Sequence, residues 1–521
     1  MIRVVDIFAG PGGLGEGFSA ARDEFDRSVF DVILSVEMEN FANETLKLRT
    51  FFRQFPTGAP EEYFQHLRGA LSRKALYDSF PQEAAEAASR CWQARLGPNG
   101  VSTDMVRQRI DAVVGHEEHW VLIGGPPCQA YSLAGRSRNR GIPGYQPELD
   151  GRQRLYIEYL QILADHRPTV FIMENVKGLL SATLGNVRMF ERIREDLQNP
   201  GLALARDGRD MVGGKRGGYR LFSLVLPMSL DERGPAGALI RSEEYGIPQA
   251  RHRVILLGIR DDCSGVTPKQ LLSQPRVSVA SVIASLPPLR SGLSRQTDSA
   301  EKWKQCLHDQ LERRWVNAGA KRIGGQSLSD LIRRSLLAVR MPAANRGNNF
   351  IPGSFIPAHA PAWYVDERLG GVCNHHSRSH MDSDLFRYFY AACYARQYGK
   401  SPSLRHFPTD LLPAHVNVDA AVENGGNYAD RFRVQVADRP STTIVSHISR
   451  DGHYYIHPDP LQCRSFTVRE AARLQTFPDN YLFCGPTTAQ YTQVGNAVPP
   501  LLAKQIADIV LDILKQAGVK T

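Results

Sequence analysis

The chain has 521 residues, with 63 Lys and Arg against 54 Asp and Glu, a net charge of +9, and 42% hydrophobic residues. That length exceeds one ordinary core, so two or three domains are expected, and the apolar content excludes wholesale disorder. The mild positive balance hints at a polyanionic partner and decides nothing alone; eight scattered cysteines exclude a disulfide framework and suit a reducing, intracellular setting.

From Met1 the chain enters an apolar, strand-like stretch with no basic leader or cleavage site, so secretion is not expected. No apolar run approaches the length of a membrane span. Short apolar runs at residues 32–36, 121–123, 170–173 and 254–259 read as strands buried on both faces. Helical stretches at 152–165 and 187–197 lie between them. The alternation predicts an α/β domain over residues 1–260, a parallel sheet with helices on both faces. Residues 51–100 interrupt it, and the Ala-, Glu-, Gln- and Arg-rich stretch 61–96 reads as an inserted helical pair. Over 261–460 the alternation fades and Pro, Gly, Asn, His and Arg become frequent, which predicts a separate, smaller, loop-rich domain. After Pro499-Pro500, Leu502, Ile506, Ile509, Val510 and Ile513 keep helical spacing. That helix is expected to pack back onto the first domain, so that 461–521 completes it.

The first strand runs into Asp6-Ile-Phe8-Ala-Gly10-Pro-Gly12-Gly13-Leu-Gly15, and Glu37 ends the next. Gly10, Gly12 and Gly15 match the spacing of a dinucleotide-binding turn, and the acid suits ribose hydroxyls. Any adenosine-containing cofactor fits this layout, so a nucleotide-dependent oxidoreductase stays open at this point.

Three further segments narrow the choice. Gly124-Gly125-Pro126-Pro127-Cys128 follows a strand directly, and its stiff turn would project the thiol away from the core. Met173-Glu174-Asn175 puts a carboxylate at a strand end, where burial costs several kcal/mol unless the group is paired or does chemistry. Gln249-Ala-Arg251-His-Arg253 places three planar polar groups on one face of an extended segment, suited to phosphates and base edges. Cys373-Asn-His375-His376-Ser-Arg378-Ser-His380 lacks a second pair at finger-like spacing, so no metal is expected.

Taken together and in this order, the segments resemble the cytosine-C5 DNA methyltransferase family. Arg464-Ser-Phe-Thr467-Val-Arg469-Glu470 and Gln493-Val-Gly495-Asn496-Ala-Val-Pro499-Pro500 look like its ninth and tenth blocks. The resemblance implies a Rossmann-like S-adenosylmethionine-dependent sheet plus a target-recognition domain at 261–460. It implies that Phe8, Gly10, Gly12, Glu37, Met38, Asp104 and Asn496 hold S-adenosylmethionine. Cys128 would attack cytosine C6, Glu174 would engage N3 and the amino group, and Arg253 would contact O2, with Arg251 and Gln249 orienting the loop. The base would have to be flipped out of double-stranded DNA. Ser132, Arg136, Arg138 and Arg140 would form a lid on the phosphates, with Thr442 reaching them from the second domain.

The same resemblance implies action as a monomer, no metal, no membrane, an intracellular location and a bacterial restriction–modification or defence setting. One branch of the family modifies tRNA with the same core motifs, so an RNA cytosine-C5 methyltransferase stays open here. A catalytically silent DNA-binding protein on this fold would not require Cys128 and Glu174, and both are present.

Overall fold

The computed structural model describes residues 1–97, 99–127, 155–184, 187–209, 217–227, 234–317, 326–414 and 429–520, with a few isolated positions between them. One sheet organises the first lobe. Its strands are β1 (Ile2–Ile7), β2 (Phe30–Glu37), β3 (Cys91–Gln93), β4 (Trp120–Gly124), β5 (Val170–Val176), β6 (Tyr219–Phe222), β7 (Leu239–Arg241) and β8 (His252–Arg260). They lie in the order β3-β2-β1-β4-β5-β8-β6, with β7 also paired to β8.

Successive residues of the central strands serve opposite faces. Val5, Ile7, Leu122, Phe171, Met173 and Leu256 share one core cluster with α6 (Thr103–Val114), α7 (Leu155–His166), α8 (Met189–Gln198) and α9 (Pro200–Arg206). Val4, Val121, Ile123, Ile172 and Leu257 share the other with α1 (Gly13–Ser19) and α15 (Pro500–Gln516). Burial on both faces is why these strands read as unbroken apolar runs.

The sheet is mixed, not parallel throughout. β3, β2, β1, β4 and β5 are parallel, and β8 runs antiparallel to β5, β6 and β7. No crossover helix separates β7 from β8, and a connection this short can join only antiparallel strands. The insertion also differs from expectation. It forms three short helices, α3 (Glu61–Leu67), α4 (Arg73–Ser79) and α5 (Pro81–Arg90), and residues 91–93 beyond them are sheet edge, not helix. Phe51 of α2 (Asn40–Phe52), Tyr63, Phe64, Leu67 and Leu76 close a small core there that also takes in Leu369, Cys373 and Cys484.

The second half is more helical than its composition suggests. The helices α10 (Ala300–His308), α11 (Leu328–Ala338) and α12 (Asp382–Tyr398) pack around Trp303, Ile332, Leu336, Tyr388 and Phe389. The middle of α12 is buried from Tyr388 through Ala395, so it lacks the polar face that marks a helix in a sequence. Next, α13 (Val468–Leu474) and α14 (Thr487–Asn496) join a core with Val282, Ile283, Tyr364, Ile444 and Ile448, while α15 lies on the sheet. Among the described residues no helix is long and apolar enough to cross a membrane.

Candidate active site

Strand register aligns the ends of four strands. Ile7 pairs with Val36 and with Gly124, and Gly124 pairs with Met173. One step further along each strand stand Glu37, Phe8, Gly125 and Glu174, in a row along the carboxyl edge, where open α/β sheets bind ligands. Three strand spacings separate Glu37 from Glu174, about 14 Å.

At the β1 end, Phe8, Gly10 and Gly12 all take positive φ (56°, 57° and 91°). The Glu37 carboxylate accepts from the Gly10 and Glu39 amides, each at 2.8 Å. Burial pushes its pKa up, against those two amides. Met38 is 52% exposed beside it, and Phe41 is exposed one helical turn on. Tyr481 and the tenth block close the loop from behind. A Cβ on Gly13 would strike the Val498 carbonyl oxygen, and the Tyr481 hydroxyl donates to the Pro11 carbonyl.

Two buried acids below this loop behave oppositely. Asp6 faces the Gly15 amide, and burial raises its pKa from 3.8 to about 8, against the pull of Arg53. Burial also acts to raise Glu16, but the guanidinium groups of Arg49 and Arg53 outweigh it and hold the acid at about 2. Between pH 4 and 8 folded Asp6 therefore keeps a proton that the unfolded chain has lost, so its contribution to stability falls as pH rises across that window. Asp6→Asn removes the titration. Its melting temperature relative to the native chain should climb between pH 5 and pH 8 in thermal melts, and an unchanged difference would refute the buried acid.

At the β5 end, Glu174 Oε1 pairs with Arg253 Nε at 2.8 Å, and both side chains are 14% exposed. Arg253 lies opposite Val176 on β8, which brings the two groups together. A Cβ at Gly125 would come within 2.9 Å of Glu174 Oε2, so the Gly-Gly-Pro-Pro turn lies directly against the carboxylate. Asn175 Nδ2 donates to the Pro126 carbonyl at 3.4 Å and ties turn to strand. Cys128, Ser132, Arg136, Arg138 and Arg140 lie outside the described residues.

Gln249 and Arg251 are internal struts, not free donors for phosphates or bases. Gln249 Nε2 donates to the Leu474 carbonyl at 3.2 Å and to Gln475, while its Oε1 accepts from the Ile444 amide at 2.8 Å. Arg251 is 1% exposed and donates to the carbonyls of Ile444 (2.7 Å) and Gly495 (3.2 Å). Burial, with Arg253 close by, drives its pKa well below the usual guanidinium range. The spacing did put these side chains on one face, and residues 441–444 cover it: Gln249-Ala250 pairs with Ser441-Thr442. Thr442 is half-buried with its hydroxyl on Gln435, and Thr443 Oγ1 donates to the Ala250 carbonyl at 2.7 Å, so neither hydroxyl is free for a phosphate.

Gly495 lets residues 445–446 lie flat on α14, since a Cβ there would collide with the backbone of Val445 and Ser446. An exposed helical Gly→Ala change stabilises by up to ~1 kcal/mol. Here the sign should reverse: Gly495→Ala is expected to cost about 1–3 kcal/mol in urea melts and to lower methyl transfer.

Asn496 is exposed at the end of α14. Asp104 stands in the first turn of α6, 78% exposed and ion-paired with Arg107. β3 precedes that helix, and its Gln93 lies opposite Glu37. The histidine-rich segment is an internal network. His375 bonds Thr467 Oγ1 (2.9 Å) and the Pro287 carbonyl (3.0 Å), His380 bonds Ser465 (3.2 Å), and His376 bonds Thr487 (2.9 Å). Burial lowers His375 to about 4. Among the described residues no three His, Cys, Asp or Glu side chains are grouped to hold a metal.

Sequence reasoning missed the arginines that build this frame. Arg464 pairs with Glu470 (2.6 Å), Arg473 pairs with Asp479 (2.6 Å), and Arg469 serves three carbonyls, all fully buried. The Thr467–Glu470 capping spacing was the one available signal.

The chain matches the C-5 cytosine-specific DNA methylase family over residues 66–205 and 234–511. It is 31% identical to the type II methyltransferase M.Bpa9945I of Bacillus paralicheniformis, covering 98% of this chain and 99% of that protein. It is 26% identical to M.AgeI of Thalassovita gelatinovora over 98% of this chain and 99% of that one. With M.ApeKI of Aeropyrum pernix, a DNA (cytosine-5-)-methyltransferase, it shares 25% identity over 76% of this chain and 81% of the relative. These matches span both lobes, and the acid–arginine pair and the glycine turn sit on one sheet edge: the chain belongs to the C-5 cytosine-specific DNA methylase family.

Proposed function

We propose that the carboxyl edge of β1, β2, β4 and β5 holds S-adenosylmethionine and an extruded cytosine side by side, with Cys128 as nucleophile. The family reaction, methylation of DNA cytosine at C5 from S-adenosylmethionine, is this chain's reaction. The observation that carries the site assignment is the single row of Glu37, Phe8, Gly125 and Glu174, with Arg253 on Glu174. The residues fit the cofactor. A Cβ at Gly10 would meet no described atom within 4 Å, so the backbone there can approach a ligand. Glu37 would take the ribose hydroxyls, Met38 would hold the adenine, Asp104 would receive its amino group, and Asn496 and the amides from Phe8 to Gly12 would hold the remainder. When bound, the cofactor supplies an electrophilic methyl group.

The chain's own groups do the rest. Thiolate addition from Cys128 to C6 breaks the aromatic ring and makes C5 enamine-like. An ordinary thiol with a pKa near ~8.5 is only partly ionised at neutral pH, so addition needs help. Glu174 provides it by engaging N3 and the exocyclic amino group, and Arg253 steadies O2 while holding Glu174 in place. Gln249 and Arg251 act at one remove by fixing the strand that carries Arg253. From the C5-methylated adduct water takes the C5 proton, and the electron pair of that C–H bond re-forms the C5–C6 double bond and expels Cys128 as thiolate.

Duplex DNA as substrate, action as a monomer, recognition by the second lobe and a restriction–modification setting complete the reading, in keeping with type II relatives that match nearly end to end. Bisulfite sequencing of duplex DNA treated with the protein and S-adenosylmethionine should show protected cytosines within one short sequence. Methyl incorporation into tRNA and none into duplex DNA would refute it.

A further inference from the structure

We propose that Arg251 is a positioning residue that couples cofactor binding to DNA binding, through its two carbonyl contacts at Ile444 and Gly495. The inference rests on the reading of the site given above.

The guanidinium is an expensive choice for its place. It is 1% exposed, pairs with no carboxylate among the described residues, and its Nε has no partner among them. A buried charge satisfied only by neutral carbonyls gives up solvation that an apolar side chain of similar volume would not. Simple packing is therefore a poor account of it.

Its contacts supply a better one. The Ile444 carbonyl precedes Val445, which is 38% exposed, and the turn continues to exposed His447 and Arg450. The Gly495 carbonyl precedes exposed Asn496, on the cofactor side. Two residues along its own strand, Arg253 holds Glu174. One planar group thus fixes the exposed turn at 445–450, which on this proposal meets DNA, and the helix end at Asn496, assigned above to the cofactor, on the strand that carries Arg253 to Glu174. The two outer limbs also touch directly, because Gly495 packs beneath Val445 and Ser446. A ligand that orders one limb orders the shared strut, and the second ligand then has less ordering left to do. The fork of an arginine can serve both carbonyls at once, whereas a lysine ammonium donates from a single point on a flexible stem.

The test is the Kd of S-adenosylhomocysteine measured by calorimetry, with and without a duplex carrying the sequence found by bisulfite mapping. In the native chain DNA should tighten binding by about tenfold, within the usual range for coupled sites. In Arg251→Lys the ratio should fall below about twofold while thermal melts show a folded protein. A native ratio near one, or an unchanged ratio in the variant, would overturn the proposal. Hydrogen exchange on the native chain gives a second test that needs no variant. S-adenosylhomocysteine alone should slow exchange of the amides at 444–448, and no slowing would also overturn it. Failure of the functional reading is separate: the native chain would then bind neither ligand at all.

Discussion

Cys128→Ala is expected to abolish methyl transfer, with a loss on the order of 10⁴-fold or more, while cofactor and duplex binding persist. The size follows from the chemistry. Cytosine C5 cannot attack a methyl group while the ring is aromatic, and among the described residues no group on the carboxyl edge can add reversibly to C6. Each of the seven other cysteines lies elsewhere: Cys91 opens β3 against Thr50, Cys263 follows β8, and the rest belong to the second half. Burial pushes Cys91 up to about 11 and Cys373 to about 12, so neither thiol can substitute at neutral pH. A duplex with 5-fluorocytosine at the target position should trap the native chain as a covalent adduct stable to denaturation, because fluorine blocks the loss that would release the cysteine. The alanine variant should form no adduct. An adduct in the variant would reassign the nucleophile.

Glu174→Gln should lower kcat by about 10²- to 10⁴-fold, the usual contribution of a positioned acid or base, with a much smaller change in duplex affinity. Glutamine preserves shape and one acceptor but removes the charge that stabilises the amino side of the ring. It also leaves the largely buried Arg253 guanidinium without its counter-charge. A double variant separates the two effects. If Glu174 acts on the base, Glu174→Gln with Arg253→Met is far slower than Arg253→Met alone, which has already lost the O2 contact, although relief of the unpaired cation restores thermal stability. If the carboxylate only neutralised Arg253, the double variant would be no slower than Arg253→Met alone.

Several features were legible in the sequence for identifiable reasons. Strands β2, β4, β5 and β8 announced themselves because both faces are buried. Glu174 stood out because a carboxylate closing an apolar strand needs a reason to be there. Strand direction was not legible, since alternation of strands and helices says nothing about how β8 enters the sheet. The face of Gln249 and Arg251 was legible as a face, yet what covers it, residues 441–444, lies nearly two hundred positions away. For the same reason nothing in the sequence marked arginines 464, 469 and 473 as buried: each has a partner carbonyl in a distant segment, at Leu289, Cys373 and Val282. Asp104 follows the insertion, whose three helices obscure the strand that leads to it.

The contact between the turn after β1 and residues 481 and 498 has a consequence for synthesis on the ribosome. Pro11 is made 470 residues ahead of Tyr481, which supports it, and Gly13 long before Val498. A nascent chain therefore cannot assemble a finished methyl-donor pocket until translation has passed Val498. Fragments stopped short of residue 481 should be inert toward the donor.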